Sequence, residues 1–562
     1  MEDGTNLSNS NLKTFDNFYA DLAQSAYNGR PNAFPRYNNA VNWKLIDYSQ
    51  HINYAGENTP GGKHLPHNGR VYLQPDPELR DTYKVTSVPV PDANGMRQDI
   101  HHKRYQKGLL TDDEAGFSAY YLTDTPTLTN DTKKTYMAIR GSDAISKENW
   151  NDWVENDAKF ALNHIHTPQA KLATVGMKTK IAEMTEKAPQ ATMDITGHSL
   201  GTIVSAQGVA GLTDQELEKI GKVVLFDGPD TTKSLKKMGL SDEKIKKISE
   251  KIEYYVNPFD VVGMLNREHT ITKLPGDSDE PLKKPVGKVN VLVPLHYTQI
   301  TDLESSHDFG VFQSDGKGNL LTASEDFHPE LLRAGEKLAR LIATSLDSLR
   351  ALGVDENVAT NVLNSIMRGE FKIKAAIGYA VYENFTTEYS KIVEEARKES
   401  IKWDREAIPR YQEQLRNGNL TGEKRILVRA QLLQTAAQLA NFDMEDKVKS
   451  VKTLLSDAKE DIQNMIKETR QTAFDMVGYL SSSEVTNLLS GFDTTSFWDE
   501  GVASDTKTAA TSFLTQIEQL GESLLKASGS FETIDTNSAE DFNNLLADVK
   551  QTWRGKNVSP NG

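Results

Sequence analysis

The chain has 562 residues, of which 37% are hydrophobic and 25% charged, and its formal net charge is −15. This length exceeds what one compact core supports, so we expect two or more domains. The acidic balance argues against nucleic acid as a partner, because phosphate binding requires a basic surface. The absence of cysteine excludes disulfides, a cysteine nucleophile and thiolate metal sites.

Residues 1–6 are polar and acidic. A secretory signal peptide has a basic start followed by an apolar stretch, so we expect none here. No run of about 18 apolar residues occurs, and we therefore also expect no transmembrane segment. If the protein leaves the cell, we expect a route that does not read a signal peptide.

Up to about residue 315, short apolar runs alternate with Gly, Pro and Asn turns. Several strands and helices are predicted in this part. The strands are Phe117–Leu122, Thr135–Ile139, Met193–Thr196, Val223–Phe226 and Ile252–Val256, and two of the helices are Lys171–Glu186 and Leu200–Leu212. Alternating strands and helices predict a mostly parallel sheet covered by helices. We therefore predict an α/β domain over residues 1–325.

After Pro329, a residue type suited to the first turn of a helix, the pattern is helical almost to the end. Three stripes of apolar residues recur at helical spacing and are bordered by charge, as in amphipathic helices. They are Leu338, Ile342, Leu346 and Leu349; Val448, Val451, Leu455, Ala458, Ile462 and Met465; and Phe513, Ile517, Leu520 and Leu524. We predict an all-α, elongated helical domain over residues 326–562. Its apolar faces either pack internally, which we favour, or bind separate helical proteins.

Residues 197–201 read Gly-His-Ser-Leu-Gly, which has the form Gly-x-Ser-x-Gly. A chain of this length yields about 0.2 chance matches, so the context decides. A predicted strand enters the motif and a predicted buried helix leaves it, which is the elbow that exposes a nucleophilic serine. We therefore predict Ser199 as the nucleophile; the alternative is an ordinary strand–helix turn.

A serine hydroxyl needs a base to take its proton, and the base needs an orienting acid. On this fold the chain order is Ser, then Asp or Glu, then His. Asp227 and Asp260 follow the next two predicted strands. We favour Asp260, which lies just beyond its strand end and can reach a histidine across the sheet edge. Asp227 is the competitor, with a turn residue or helix cap as its other interpretation.

Three histidines follow within the first domain. His296 lies in an apolar run, which is typical of a core or strand-edge residue, and His269 lies in a charged stretch. His307 lies in a polar loop after the last predicted strand and before the helices, which suits the base. We favour His307, with His296 as the alternative.

Acyl transfer also needs backbone N–H donors for the oxyanion of the tetrahedral intermediate. One donor is expected at Leu200, the residue after the nucleophile. The second is expected in a loop after an earlier strand. Ser142 follows such a strand end, and Gly141 before it permits close approach, so we predict Ser142 as the second donor.

Four blocks in this order resemble the class 3 lipases, a branch of the α/β-hydrolases. They are residues 140–142 (Arg-Gly-Ser) with 149–153 (Asn-Trp-Asn-Asp-Trp), the elbow, 226–229 (Phe-Asp-Gly-Pro) and 257–261 (Asn-Pro-Phe-Asp-Val). The resemblance covers roughly residues 100–315.

The resemblance implies the same catalytic set: Ser199 as nucleophile, Asp260 as acid and His307 as base, with Ser142 and Leu200 forming the oxyanion hole. The sequence departs from the family at Asp227, where the family usually has Gly. It also carries a long polar insert at Pro275–Lys284, which is a lid or a loop.

The two-domain arrangement resembles the type VII-secreted lipase toxins of Gram-positive bacteria, in which a C-terminal LXG-like helical domain carries the export signal. Residues 531–535 (Phe-Glu-Thr-Ile-Asp) match the F-x-x-x-D element associated with LXG domains. This resemblance implies a secreted enzyme that hydrolyses phospholipid or acylglycerol esters of competitor cells. It also implies small helical partner proteins on the C-terminal domain and an immunity protein that blocks the active site. No cofactor is implied; calcium stays open, although no EF-hand-like spacing occurs.

Two alternatives remain. One is an intracellular esterase or thioesterase whose helices only oligomerise it. The other is a binding or scaffold protein with an inactive hydrolase fold, against which the intact order of Ser, Asp and His argues. The lipid head group, acyl length and cleaved position depend on pocket shape, which the sequence does not reveal.

Overall fold

A computed structural model of the chain describes residues 16–28, 33–35, 42–47, 70–92, 95–141, 167–297, 306–309, 312–313, 319–351, 376–417, 420, 422–521 and 523–524. The chain divides into two compact units, Met1–Ser400 and Ile401–Gly562. The predicted boundary between the α/β domain and the helical domain, at residues 325 and 326, stays a prediction.

The described residues of the first unit form an eleven-stranded sheet. The strands are β1 (Lys44–Asp47), β2 (Arg70–Leu73), β3 (Arg80–Asp92), β4 (Gly95–Lys107), β5 (Thr111–Asp112), β6 (Phe117–Thr123), β7 (Lys134–Ile139), β8 (Thr192–His198), β9 (Ile220–Phe226), β10 (Ile252–Val256) and β11 (Lys288–Val291). Their spatial order is β11-β10-β9-β8-β7-β6-β5-β4-β3, and β2 pairs with both β6 and β1. All five strands predicted from the sequence lie within observed strands.

The sheet has a parallel half and an antiparallel half. Strands β7 to β11 pair with one another in parallel. Strands β1 to β6 add antiparallel pairs, including the long hairpin of β3 and β4. The predicted α/β fold is confirmed, but the sheet is mixed rather than mostly parallel. Because β7 to β10 run in one direction, the loops after them meet at one edge, which is where open α/β sheets bind ligands.

Helices of the first unit cover the sheet. They are α1 (Asp16–Ser25), α2 (Pro168–Lys187), α3 (Leu200–Ala210), α4 (Asp214–Leu217), α5 (Thr232–Lys237), α6 (Asp242–Ser249), α7 (Pro329–Ala351) and α8 (Ala376–Arg416), the last of which continues into the second unit. Every residue of α3 is buried, as expected for a helix that is apolar on all sides. Helix α7 begins at Pro329, and its predicted stripe is confirmed, since Leu338 and Leu349 are at most 1% exposed.

The N-terminal helix α1 is joined to the parallel strands by polar contacts. The hydroxyl of Tyr19 donates to Asp194 Oδ2 at 2.9 Å, and Thr196 Oγ1 donates to the carbonyl oxygen of Tyr19 at 3.1 Å. Asp194 is buried and also accepts from Lys134 Nζ at 3.0 Å and from the N–H of Lys222 at 2.9 Å. A buried carboxylate stabilises a fold only when its hydrogen-bonding capacity is met in this way.

The second unit consists of helices in its described part. The rest of α8 is followed by α9 (Gly422–Met476), α10 (Ser482–Leu488) and a helix over residues 500–521, named α11. Ala407, Tyr411 and Val428 form a small core between α8 and α9, with four partly buried apolar residues around it. Over the described ranges, no helix combines the length and the apolar character that crossing a bilayer requires.

Two of the predicted stripes are only partly buried. In α9, Val448 and Ile466 are buried, whereas Met465 is 59% exposed. The predicted stripe repeats about every 3.5 residues, whereas a straight helix has 3.6 residues per turn. The stripe therefore moves away from the buried side of the helix within a few turns. In α11, Phe513 and Leu520 are 52% and 57% exposed.

Replacing Leu338 with Ala tests the packing of α7. Its side chain is fully buried, so Leu338→Ala should lower the free energy of unfolding by about 2–5 kcal/mol. Thr344→Ala, at an exposed position of the same helix, should change it by less than about 0.5 kcal/mol. Calorimetry of the transition that contains the first unit measures both, and equal effects would contradict the placement of α7.

Candidate active site

Ser199 lies between β8 and α3, as the strand–turn–helix pattern predicts. Its backbone is left-handed, with φ 58° and ψ −129°, which is a strained conformation for a residue with a Cβ. The N–H of Ser199 donates to the carbonyl oxygen of Phe226 at 3.0 Å, and Thr202 Oγ1 donates to the carbonyl oxygen of Ser199 at 2.7 Å. These two bonds hold the turn between the ends of β8 and β9.

Two glycines allow the elbow to approach the end of β7. A Cβ at Gly201 would lie 2.4 Å from the carbonyl oxygen of Ile139. A Cβ at Gly141 would lie 2.6 Å from the carbonyl oxygen of His198. Both distances are shorter than any real Cβ contact, so glycine is required at each position. The end of β7 therefore lies directly beside the elbow.

The structure brings Asp260 and His307 together. Nδ1 of His307 lies 3.0 Å from Oδ2 of Asp260, and the two side chains are 12% and 2% exposed. Asp260 follows β10 and accepts the N–H groups of Val262 at 3.0 Å and Gly263 at 2.6 Å. Because a carboxylate only accepts, His307 donates through Nδ1, and Nε2 is the acceptor nitrogen of the neutral ring.

Asp227, the competing acid, lies at the end of β9 and is fully buried. Its Oδ1 accepts the N–H of Asn257 at 2.7 Å, whereas Oδ2 has no hydrogen-bond partner among the described residues. Burial, and after it the negative charge of Asp260, raise the pKa of Asp227 well above its ordinary value, and the charge of His307 opposes this. The raised pKa favours the neutral form of Asp227 beside the Asp260–His307 pair.

Arg267 is a buried cation next to these carboxyl groups. It is 0% exposed, Nε donates to the carbonyl oxygen of Gly263 at 2.7 Å, and Nη2 donates to that of Gly228 at 2.8 Å. Its guanidinium lies 4.5 Å from the ring centre of Tyr254 and 3.9 Å from Asp230 Oδ2. Arg267 thus joins the loop after β9 to the loop after β10. Sequence reasoning gave no reason to single it out.

His198 and Tyr27 also belong to the site, and sequence reasoning missed both. Nε2 of His198 lies 2.8 Å from the carbonyl oxygen of His307 and therefore donates to it. Nδ1 of the neutral ring then accepts the hydroxyl of Tyr27 at 2.8 Å. The His198 ring also lies 4.5 Å from that of Phe309. The residue before Ser199 thereby holds the loop that carries His307.

The predicted oxyanion hole is only half described. Leu200 is buried and is the first residue of α3, where backbone N–H groups have no partner within the helix. Ser142 lies outside the described residues, as do residues 149–153. The polar insert Pro275–Lys284 is a loop, and within the described ranges no group of three or more His, Asp or Glu could hold a metal ion.

The cutinase family model matches residues 124–269. Comparisons with curated proteins and with solved structures give no match. The family match indicates a serine carboxylic ester hydrolase with an α/β-hydrolase domain. It contains Ser199, Asp227 and Asp260 and ends before His307. The match supports the predicted resemblance as far as a lipase- or esterase-like α/β-hydrolase domain. No comparison supports an LXG domain.

Replacing Asp227 with Asn tests its protonation state. Since the pKa of Asp227 is raised in the folded chain, wild type should lose stability as pH rises from about 4 towards the raised value. Asparagine resembles the neutral acid and tolerates the left-handed backbone at φ 46°. Asp227→Asn should therefore gain stability relative to wild type as pH rises above about 4, as measured by unfolding midpoints. A difference that does not change with pH would contradict a neutral Asp227.

Proposed function

We propose that this protein is a lipase or phospholipase A that uses Ser199 as nucleophile, His307 as base and Asp260 as acid. The 3.0 Å contact between His307 Nδ1 and Asp260 Oδ2, at the edge of the sheet where the elbow lies, is the observation that carries the proposal. The match to the cutinase family supports the ester hydrolase chemistry. The choice of lipid esters rests on the resemblance to class 3 lipases.

In the first half of the proposed reaction, Ser199 Oγ attacks the ester carbonyl carbon while its proton passes to His307 Nε2. Asp260 stabilises the imidazolium that forms. The tetrahedral intermediate then collapses, the alcohol takes the proton from Nε2, and the acyl group stays on Ser199. The N–H of Leu200 and a donor at Ser142 stabilise the oxyanion.

In the second half, a water molecule attacks the acyl carbon and gives its proton to the same nitrogen. Collapse of this intermediate returns the proton to Ser199 Oγ and releases the fatty acid. The bond between His307 Nδ1 and Asp260 keeps the ring in the tautomer that both halves require. The proposed steps use no cofactor, and activity with and without added calcium tests whether calcium is required.

Substitution of the three residues tests the mechanism. Ser199→Ala should abolish ester hydrolysis, because it removes the nucleophile. Asp260→Asn should lower kcat by about 10⁴-fold, because the base loses its orientation, and His307→Ala by about 10⁶-fold, because the proton acceptor is gone. Lipid profiling after incubation with phospholipid and with triacylglycerol measures activity and identifies the substrate. His296→Ala is the matched control; if it abolishes activity and His307→Ala does not, the proposed base is wrong.

We further propose that the protein is exported by a type VII route and that small helical proteins bind its helical part. Helices α9 and α11 support this. They run antiparallel, because Lys459 forms an ion pair with Glu500 while Gly521 lies against Ala437 and Asn441. Each helix buries one stripe of residues.

Each of these helices also carries a second apolar stripe, which lies about 100° around the helix from the buried stripe. The direction of this rotation, viewed along the chain, is the same in both helices. We call the two together the apolar face. Its residues and their exposed fractions are Leu454 67%, Met465 59%, Met476 79%, Val502 63%, Phe513 52% and Leu520 57%. Antiparallel helices are related by a twofold axis perpendicular to their plane, so both stripes lie on one side of the pair.

The apolar face fits an amphipathic helix. Packed helices lie about 8–10 Å apart, which leaves a groove between two stripes for a third helix. Exposed apolar surface of this kind marks an interaction site. We therefore propose a small helical protein as its occupant, and an immunity protein, bound at the hydrolase domain, that blocks Ser199 in the producing cell.

Charges in the apolar face test this proposal. Phe513→Glu combined with Leu520→Glu should remove the bound helical protein and stop export, because burial of a carboxylate in the groove is unfavourable. Thr508→Glu combined with Thr515→Glu, which adds the same charge at exposed positions on the other side of α11, should leave both unchanged. The amounts of the protein in the culture medium and in the producing cells are measured, and so are the small proteins that co-purify with it. If wild type is found only inside the cell and the variant of the apolar face dissociates a homodimer, the intracellular enzyme with a helical oligomerisation domain is favoured.

A further inference from the structure

The carboxylate of Asp260 is fixed relative to its own loop. Oδ1 and Oδ2 accept the N–H groups of Val262 and Gly263, the residues that complete the turn after Asp260. Gly263 is held in turn by Arg267. The position of this loop therefore decides whether Oδ2 meets His307.

Tyr389 holds the loop immediately before Asp260. The Tyr389 side chain, on α8, is fully buried, and its hydroxyl donates to the carbonyl oxygen of Phe259 at 2.8 Å. The Phe259 ring packs against Tyr297 with a centroid distance of 4.9 Å. The hydrogen bond from Tyr389 fixes the peptide group between Phe259 and Asp260.

Glu336 holds the same loop further along the chain. The Glu336 side chain, on α7, is fully buried, and its carboxylate accepts the N–H of His269 at 2.7 Å and that of Ile271 at 3.1 Å. Arg340 Nε donates to Glu336 at 2.7 Å, and its two Nη atoms bind Asp277 at 2.6 and 2.5 Å. A buried carboxylate that accepts two main-chain donors and one guanidinium is a strong and directional anchor.

We propose that Tyr389 and Glu336 are positioning residues of the hydrolase, which set the loop so that Asp260 Oδ2 meets His307 Nδ1. The inference rests on the proposed role of Asp260. Both residues lie on helices beyond residue 325 and beyond the part that matches the cutinase family. Helix α7 and the first part of α8 are then parts of the catalytic unit.

Tyr389→Phe in the full chain is the sharpest test, because it removes one hydroxyl and keeps the buried ring. Turnover of a short soluble ester is measured per active site, with the active fraction counted by a fluorophosphonate that labels the serine. We expect kcat to fall by about tenfold to a hundredfold with KM within about twofold, since a small displacement of the acid affects the chemical step rather than binding. Tyr382→Phe, two turns earlier on α8 at a partly exposed position, should leave kcat unchanged.

A double-mutant cycle distinguishes positioning from general support of the fold. In the Asp260→Asn background, Tyr389→Phe should lower kcat no further, because the group that it positions is gone. Glu336→Gln, which keeps one acceptor oxygen, should lower kcat in wild type and also have no effect in that background. If Tyr389→Phe leaves kcat unchanged while Asp260→Asn lowers it, the positioning role is refuted and the proposed function stands. If Asp260→Asn itself leaves kcat unchanged, the proposed acid is wrong.

Discussion

Three ionisable side chains, Asp227, Asp260 and Arg267, are buried at the carboxyl edge of the sheet, and the loops there are arranged around them. A buried charge destabilises a fold by several kcal/mol unless hydrogen bonds and opposite charge replace its hydration. Asp260 receives two main-chain N–H groups and His307. Arg267 donates to two carbonyl oxygens and lies over the face of the Tyr254 ring. The turns after β9 and β10 are the structures that supply these partners.

The two carboxyl groups differ because their surroundings differ. Asp260 accepts from two N–H groups and from the His307 ring, whereas Asp227 accepts from a single N–H group among the described residues. Burial, and after it the negative charge of Asp260, raise the pKa of Asp227 and so oppose a second negative charge beside the pair. Asp260 is then the carboxyl group that orients His307 in the proposed proton transfers.

Much of this fold is encoded locally, and that part was predictable from the sequence. The strand before Ser199 and the buried helix after it follow from apolar runs and small residues, and both are present. The α7 stripe was also predictable, because a 23-residue helix is short enough for the exact period not to matter. In the 55 residues of α9 a small error in period accumulates, and Ile466 replaces Met465 at the buried position.

The partners that complete the site are distant along the chain, and residue patterns do not reveal such pairs. Tyr27 is 171 residues from His198, and Tyr389 is 130 residues from Phe259. Neither tyrosine stands in a motif, and only the folded backbone brings each hydroxyl to its acceptor. The part that matches the cutinase family contains Ser199 and Asp260 but neither His307 nor these two tyrosines. The matched core supplies the elbow and the proposed acid, but the proposed base and the residues that hold the loop of Asp260 come from the segment after it. Tyr27, which holds His198, comes from the segment before it.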